Sequence, residues 1–254
     1  MPVAFIHIWQ LPAFHFAAIF LLLLLVPGSL NAGPPFLTDD PEPVDFKHWE
    51  YYIASINTYQ PGLATGTLPH FEVNYGPLPN LQLHLILPMN FESMGSHSFR
   101  EGYGDTELGV KYRFIQEKDN IPQIGTFPII EVPTVNNPTF TNGKVKVFIP
   151  IWLQKSWGKL TSYGGGGYWF NPGSGNKNWV FAGWELQYDF SEPLTLGGEI
   201  YYNSAPVTGG SSTAGFNLGG FLNFSEKFHF IFSVGHSLMN DRFFTSYGGL
   251  LWTI

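Results

Sequence analysis

The chain has 254 residues, of which 12 are Lys or Arg and 19 are Asp or Glu, so its formal net charge is −7 and only 12% of its residues are charged. This acidic balance excludes the basic surface that nucleic-acid binding requires, and the lack of cysteine excludes disulfides, thiolate metal sites and thiol nucleophiles. Aromatic residues make up 17% of the chain, which together with the low charge excludes a disordered protein.

The first 32 residues are predicted to be a secretory signal peptide. Phe16–Val26 is an apolar run without a charge, residues 27–29 end it, and Ala32 offers a small residue at a cleavage point. The run is too short for a membrane-spanning helix, which needs about 20 apolar residues. We expect cleavage after Ala32 and a mature barrel domain over residues 33–254, which begins with an extended segment over 33–43.

The mature chain is predicted to consist of strands, because its apolar residues repeat with a period of two. In Leu81–Phe91 every second residue is apolar, whereas Gln82 and His84 lie on the opposite face. Twelve segments of this kind are predicted: Val44–Tyr59, 70–75, Leu81–Phe91, Asp105–Ile115, Gln123–Pro133, 144–154, Leu160–Phe170, 180–188, 196–202, 216–224, 228–234 and Phe244–Ile254.

The strand Asp105–Ile115 places charges on one face and apolar residues on the other. Glu107, Lys111 and Arg113 share the charged face, and lone charges are costly to bury in a dry core. This face can therefore line a wet channel. It can also be the solvent face of a soluble β-sandwich, so this strand alone leaves both folds open.

The connections between strands and the aromatic residues favour a membrane barrel. Short turns such as Pro77–Asn80 and Ser191–Pro193 alternate with longer polar loops such as Glu92–Tyr103 and Thr134–Gly143, and Trp and Tyr gather at strand ends. A closed barrel satisfies every backbone group in lipid. The predicted fold is all-β: a single up-and-down antiparallel transmembrane β-barrel of about 12 strands, with a soluble periplasmic β-protein as the alternative.

Several sequence blocks carry a family resemblance. They are GPPFLTDDPEPVDFKHWEYY from Gly33, GDTELGVKYRF from Gly104, FPIIEVPT from Phe127, IPIWLQKSWG from Ile149, and SYGGGGYW from Ser162, followed by SVGHSL near the end. In order and spacing the chain resembles the MetA-pathway of phenol degradation family of outer-membrane barrels. The resemblance implies an outer-membrane, transport-like role, and it implies no catalytic residue.

Three motifs have a chemical interpretation that is weaker than the structural one. His236-Ser237 could suggest a hydrolase, but adjacent strand residues point to opposite faces, so the pair is not expected to meet. The acidic group Asp39, Asp40, Glu42 and Asp45 could hold Ca²⁺, although two prolines interrupt it and a solvated turn is favoured. Gly164–Gly167 lacks the Lys that a phosphate-binding loop requires, and such glycines more often mark a close approach inside a barrel.

The charges predicted to face inward are the most informative functional feature. Their mixed signs suggest either a solute path or ion pairs that plug the barrel, and the sequence leaves these alternatives open. Aromatic residues predicted beside them, Phe127, Phe148, Trp152 and Tyr201, suit aromatic or amphipathic solutes. The predicted lumen-lining residues are Glu107, Lys111, Arg113, Glu131, Lys144, Lys146, Glu185 and Glu199.

These features together predict a non-enzymatic outer-membrane channel for passive passage or binding of a small solute. The alternatives are a barrel hydrolase with loop residues at its mouth, and a plugged structural barrel of the envelope. No cofactor and no metal are expected. The expected partners are outer-membrane lipid, a small-molecule solute and the barrel-assembly machinery during biogenesis, without nucleic acid.

Overall fold

A computed structural model describes residues 35–95 and 98–254, and the predicted signal peptide therefore lies outside the described residues. No helix in these residues is long and apolar enough to span a membrane. The described strands are β1 (Trp49–Gln60), β2 (Leu63–Leu78), β3 (Leu81–Met94), β4 (Ser98–Tyr103), β5 (Thr106–Ile115), β6 (Gln123–Thr126), β7 (Ile129–Val132), β8 (Lys146–Trp157), β9 (Leu160–Phe170), β10 (Trp179–Ser191), β11 (Leu194–Asn203), β12 (Thr213–Asn223), β13 (Phe228–Met239) and β14 (Phe244–Thr253).

The strands form one closed antiparallel barrel. β1 pairs with β2 on one side and with β14 on the other, so the first and last strands join and leave no open edge between them. β4 and β5 both pair with β3 and are two pieces of one wall strand, and β6 and β7, which both pair with β5 and β8, are two pieces of another. The strand segments of the described residues therefore make twelve wall strands, as predicted.

A proline explains one of these two interruptions. Pro128 separates β6 from β7, and since proline has no backbone N–H it cannot donate a ladder hydrogen bond. Its carbonyl oxygen still accepts from the backbone N–H of Val110 at 3.1 Å, which keeps β7 attached to β5.

The two faces of the wall meet different surroundings. On the predicted outward faces, Leu83, Val110 and Ile149 are exposed, whereas their inward neighbours Gln82 and Lys111 are buried. Such an apolar outer face and polar inner face is the pattern of a transmembrane barrel, in which the outer residues contact hydrocarbon. The predicted alternation is confirmed along β3, β5 and β8.

Turn lengths differ between the two ends of the barrel: the longest loops lie at one end, which also carries the two-residue β1–β2 turn. β2–β3, β8–β9 and β10–β11 turn within two residues at the end where β1 begins, which we call the short-turn end. The opposite end carries the longer loops 133–145, 171–178 and 204–212. The prediction that Glu92–Tyr103 is a loop is wrong, because β3 extends to Met94 and β4 fills most of the remainder.

Aromatic side chains stack at the short-turn end. The ring of Trp49 lies 4.2 Å from that of Tyr75 and 6.0 Å from that of Tyr51, and the exposed Trp157 and Trp252 lie at the same end. Amphipathic rings at this position suit the boundary between hydrocarbon and headgroups.

Candidate functional site

Residues 35–44, which we call the plug segment, lie inside the barrel. They contact inward-facing side chains of β3, β5, β6, β8, β11 and β13, and only the interior is bordered by all of these strands. Phe36, Thr38, Asp40, Pro41 and Val44 of this segment are buried, and Asp40 is 0% exposed. The lumen is therefore filled by the chain's own N-terminal part.

The first anchor of the plug segment is Glu199 on β11. Its two carboxylate oxygens accept from the backbone N–H groups of Leu37 and Thr38, each at 2.8 Å. The side-chain amide of Asn217 on the neighbouring strand donates to the same carboxylate at 2.6 Å, which holds it in place. Hydrogen bonds to a charged group are the strong ones, since each contributes about 1.5–3 kcal/mol.

The second anchor is Lys111 on β5. Its Nζ lies 2.8 Å from Asp39 Oδ1 and 3.3 Å from Asp40 Oδ2, and 5.1 Å from the ring centre of Phe127. Burial raises the pKa of the Asp40 carboxyl well above its ordinary value, because desolvation outweighs the attraction of the Lys111 charge. One ammonium thus faces two carboxylates of the plug segment.

The third anchor receives the Glu42 carboxylate. Arg113 Nη1 lies 3.5 Å from Oε1, and the side-chain amides of Gln123 and Gln154 donate to Oε2 at 3.1 and 3.0 Å. Arg113 is itself oriented by Asn80, whose side-chain oxygen accepts from Nε at 3.1 Å and from Nη2 at 3.0 Å. We call Arg113, Gln123 and Gln154 the carboxylate cradle.

Neutral hydrogen bonds hold the two ends of the plug segment. The hydroxyl of Ser233 on β13 donates to the carbonyl oxygen of Pro35 at 2.7 Å, and the side-chain oxygen of Gln82 on β3 accepts from the backbone N–H of Val44 at 2.9 Å. The prediction that Asp39, Asp40 and Glu42 belong to a solvated turn is therefore wrong, because the barrel wall supplies their partners.

Other inward charges pair with each other on the wall. Lys146 on β8 contacts Glu131 on β7 and lies 3.3 Å from Asp105. Nε2 of the buried His84 lies 2.9 Å from Glu107 Oε1, and its Nδ1 lies 3.5 Å from Glu72. These pairs link neighbouring wall strands to each other. The plug segment is instead bound by Lys111, Arg113 and Glu199.

An aromatic cluster fills the interior beside the plug segment. Gly167 on β9 leaves room for it, since a Cβ there would lie 2.6 Å from the ring of Phe148, and the predicted close approach at these glycines is confirmed. The ring of Trp169 on β9 packs against this cluster and stacks on Phe148 at 4.8 Å. The cluster comprises Phe127, Phe148, Trp152, Phe181, Tyr201 and Phe243.

The predicted lumen residues occupy four kinds of position. Lys111, Arg113 and Glu199 hold the plug segment, and Glu107, Glu131 and Lys146 form wall pairs. Glu185 on β10 is 0% exposed and lies opposite Tyr163 in the strand register. Lys144 is exposed and lies in the loop 133–145. It falls outside β8 because that strand begins two residues later than the sequence pattern indicates.

A polar cavity of about 360 Å³ opens at the short-turn end. Its wall includes the cradle and Glu42, together with Gln116, Glu117 and Ser156 from the adjoining strand ends and turn. The Glu117 carboxylate is occupied, since Lys155 Nζ lies 2.7 Å away and the backbone N–H of Ser156 donates to it at 3.1 Å. Arg113 and Glu42 form an ion pair on the wall of this cavity, with side chains 19% and 27% exposed.

The motifs with a possible catalytic or metal-binding role give weaker sites. Ser237 Oγ lies 3.4 Å from His236 Nδ1, which is closer than the strand alternation predicts. That nitrogen lies only 2.8 Å from the Ser237 carbonyl oxygen, so it carries the proton and cannot act as a base toward the hydroxyl. Within residues 35–95 and 98–254, no three His, Asp or Glu side chains meet in a way that could hold a metal ion.

Comparison with solved structures shows that the fold is similar to that of several outer-membrane β-barrels. The structure is similar to the COG4313 outer membrane channel from Pseudomonas putida F1, with a TM-score of 0.68 and 15% identity over 85% of this chain and 98% of that chain. It is also similar to the NanC porin (TM-score 0.55, 9% identity, 80% and 98% covered) and to the KdgM porin in complex with disordered oligogalacturonate (0.53, 13%, 79% and 98%).

Sequence comparison adds no relative. No family model matches the chain, and no curated protein matches it. At 9–15% identity the structural similarities establish the fold alone. The resemblance to the MetA-pathway of phenol degradation family therefore stays a prediction.

Proposed function

We propose that the chain is an outer-membrane channel for small solutes whose resting lumen is closed by the plug segment. The observation that carries the proposal is the way the segment is held: ion pairs and hydrogen bonds to wall side chains, without a strand pairing to the wall. Contacts of this kind can be exchanged for contacts to water or solute, whereas a strand built into the sheet could not leave without opening the barrel.

The membrane and orientation follow from the architecture. Barrels with an apolar outer face and short turns on one side span bacterial outer membranes, with those turns on the periplasmic side. The short-turn end, where residues 45–48 connect the plug segment to β1, is accordingly the periplasmic end. Passage through the inner membrane and delivery to the barrel-assembly machinery belong to the same proposal.

The interior favours solutes that combine an apolar body with a polar group. The aromatic cluster offers ring faces, and Lys111 with its acidic partners lies beside it, within 5.1 Å of the Phe127 ring centre. Rings next to charges suit small aromatic or amphipathic molecules. The KdgM porin, by its name, was studied with an oligogalacturonate, which is a polar anion; the aromatic content of this lumen argues for a different solute.

Conductance and solute uptake test the proposal. The purified full chain is compared in planar bilayers and liposomes with a variant that carries Asp39→Asn, Asp40→Asn and Glu42→Gln, which weakens two anchors without altering the wall. Glu192→Gln with Glu226→Gln, on short turns at the same end, is the matched control. We expect brief, rare openings for the native chain and the control, and sustained conductance with solute uptake for the plug variant.

The same experiment distinguishes the channel from the alternative of a plugged structural barrel. A plug held at five points by residues from around the wall is what a permanently closed scaffold barrel would have. If the plug variant keeps the altered gel mobility of a folded, unboiled barrel and yet conducts nothing, the channel proposal fails and the scaffold is favoured. Lipid or peptide turnover that is lost on His236→Ala would favour the hydrolase instead.

A further inference from the structure

We propose that the carboxylate cradle is a binding site for small free monocarboxylates, which compete with Glu42 for Arg113 and thereby loosen the plug segment. The binding step concerns the cradle alone, while its regulatory meaning depends on the proposed channel function. The Glu42 carboxylate, which is part of the chain, occupies this site in the structure. A free carboxylate fits the same site equally well.

The geometry is that of a carboxylate receptor. A guanidinium and two primary amides from β5, β6 and β8 converge on one carboxylate, with donor–acceptor distances of 3.5, 3.1 and 3.0 Å. Arg113 is fixed before any carboxylate arrives, because it donates to Asn80 at 3.1 and 3.0 Å and to the Gln123 side-chain oxygen at 2.9 Å. Fixed donors of this kind lower the ordering cost of binding.

Access distinguishes this anchor from the one at Lys111. The side chains of Glu42 and Arg113 are 27% and 19% exposed, and both border the open cavity of about 360 Å³. Lys111 and Asp40 are 4% and 0% exposed. Since a water occupies about 30 Å³ of liquid, the cavity has room for an acid of acetate to benzoate size. A solute from the short-turn end thus reaches the Glu42 anchor first.

Charge balance sets the class of ligand. Exchange of one carboxylate for another keeps Arg113 neutralised, whereas withdrawal of Glu42 without replacement would leave a partly buried guanidinium unpaired, which is costly. Glu117 on the same cavity wall is already paired with Lys155 at 2.7 Å, so a second negative charge on the ligand would find no partner there. The site therefore suits monocarboxylates over dicarboxylates.

Competition gives the first test. Binding of fluoroacetate to the full-length barrel in detergent is followed by ¹⁹F NMR, with chloride keeping the ionic strength constant. Glu42→Ala removes the tethered competitor. We therefore expect the dissociation constant of fluoroacetate for this variant to be at least tenfold lower than that for the native chain. Glu192→Ala, a turn glutamate at the same end, should leave it unchanged, and Glu42→Ala with Arg113→Gln should abolish binding.

Two results would overturn the site. One is equal affinity in the native chain and the Glu42→Ala variant, and the other is affinity that survives Arg113→Gln. Every variant is first shown to be a folded barrel by its altered gel mobility before boiling, so loss of binding cannot be misread as unfolding. If fluoroacetate binds as expected but no variant conducts, the channel proposal is refuted and the binding site is still supported.

Labelling of the plug gives the second test. The chain contains no cysteine, so Thr38→Cys, at a position 1% exposed, provides a single thiol whose reaction rate reports release of the segment. We expect acetate to accelerate labelling in a saturable way and chloride to have no effect, with the acceleration lost in Thr38→Cys with Arg113→Gln. If acetate does not change the labelling rate, the proposed release of the plug segment by free carboxylates is refuted.

Discussion

Lys111→Met is the most informative single substitution, because it removes the ammonium on which two plug carboxylates depend. The Lys111 side chain is 4% exposed, and Asp39 and Asp40 lie 2.8 and 3.3 Å away. Loss of one partner of a buried ion pair costs about 3–5 kcal/mol, since the other partner is left charged without compensation. At about 1.4 kcal/mol per factor of ten, the docked plug should become at least a hundredfold less favoured.

The assay is thiol labelling of Thr38→Cys in the presence and absence of Lys111→Met, measured on folded barrels in detergent. We expect the labelling rate to rise by roughly two orders of magnitude. Restoring the charge balance with Asp39→Asn and Asp40→Asn should recover much of the protection, because removal of both partners of an ion pair is far less costly than removal of one.

Lys146→Met is the matched control, because both partners of Lys146, Asp105 and Glu131, belong to the wall. It should weaken the barrel without exposing the plug. An unchanged labelling rate in Lys111→Met, or an equal rise in Lys146→Met, would refute the reasoning that this ion pair docks the segment.

Two further substitutions test the first anchor, Glu199, and the packing of the wall. Glu199→Gln replaces one of the two oxygens that accept from Leu37 and Thr38, so labelling of Thr38→Cys should rise about tenfold; no rise would show that these bonds contribute little. Gly167→Ala should destabilise the barrel by about 1–3 kcal/mol in urea unfolding, because its Cβ would meet the Phe148 ring and Ile149 at 2.6 Å. Gly248→Ala, with nothing within 4 Å, should be much milder, and equal costs would contradict the packing argument.

The wall was predictable from the sequence because its pattern is local. Side chains alternate along a strand whatever lies around it, so Gln82 and Leu83 could be assigned to opposite faces without knowledge of their neighbours. The ends of strands are less constrained by alternation. For that reason the sequence pattern predicts a loop over residues 92–103 and a strand at Lys144, whereas the structure places most of the former in β3 and β4 and the latter in a loop.

The plug was not predictable, because its contacts join residues far apart in the chain. Asp39 and Lys111 are separated by 72 residues, and Thr38 and Glu199 by 161. A run of acidic residues next to prolines fits a solvated turn just as well, and the inward Lys111 and Arg113 could have paired with wall carboxylates such as Glu107. The one available signal was that inward cations on β5 faced an acidic N-terminal segment of unknown position, and a charge match alone does not specify a partner.

The central claim is that residues 35–44 close a conducting lumen, and a reversible lock tests it most directly. The Cβ of Thr38 lies 3.2 Å from the position a Cβ on Gly183 would take, so a shift of a few tenths of an ångström brings the pair into the disulfide range of about 3.5–4.5 Å. Thr38→Cys and Gly183→Cys are combined with the plug-loosening changes Asp39→Asn, Asp40→Asn and Glu42→Gln, and conductance is recorded in one bilayer before and after reduction. The account predicts a closed barrel when oxidised and sustained conductance when reduced. Equal conductance in both states would contradict it.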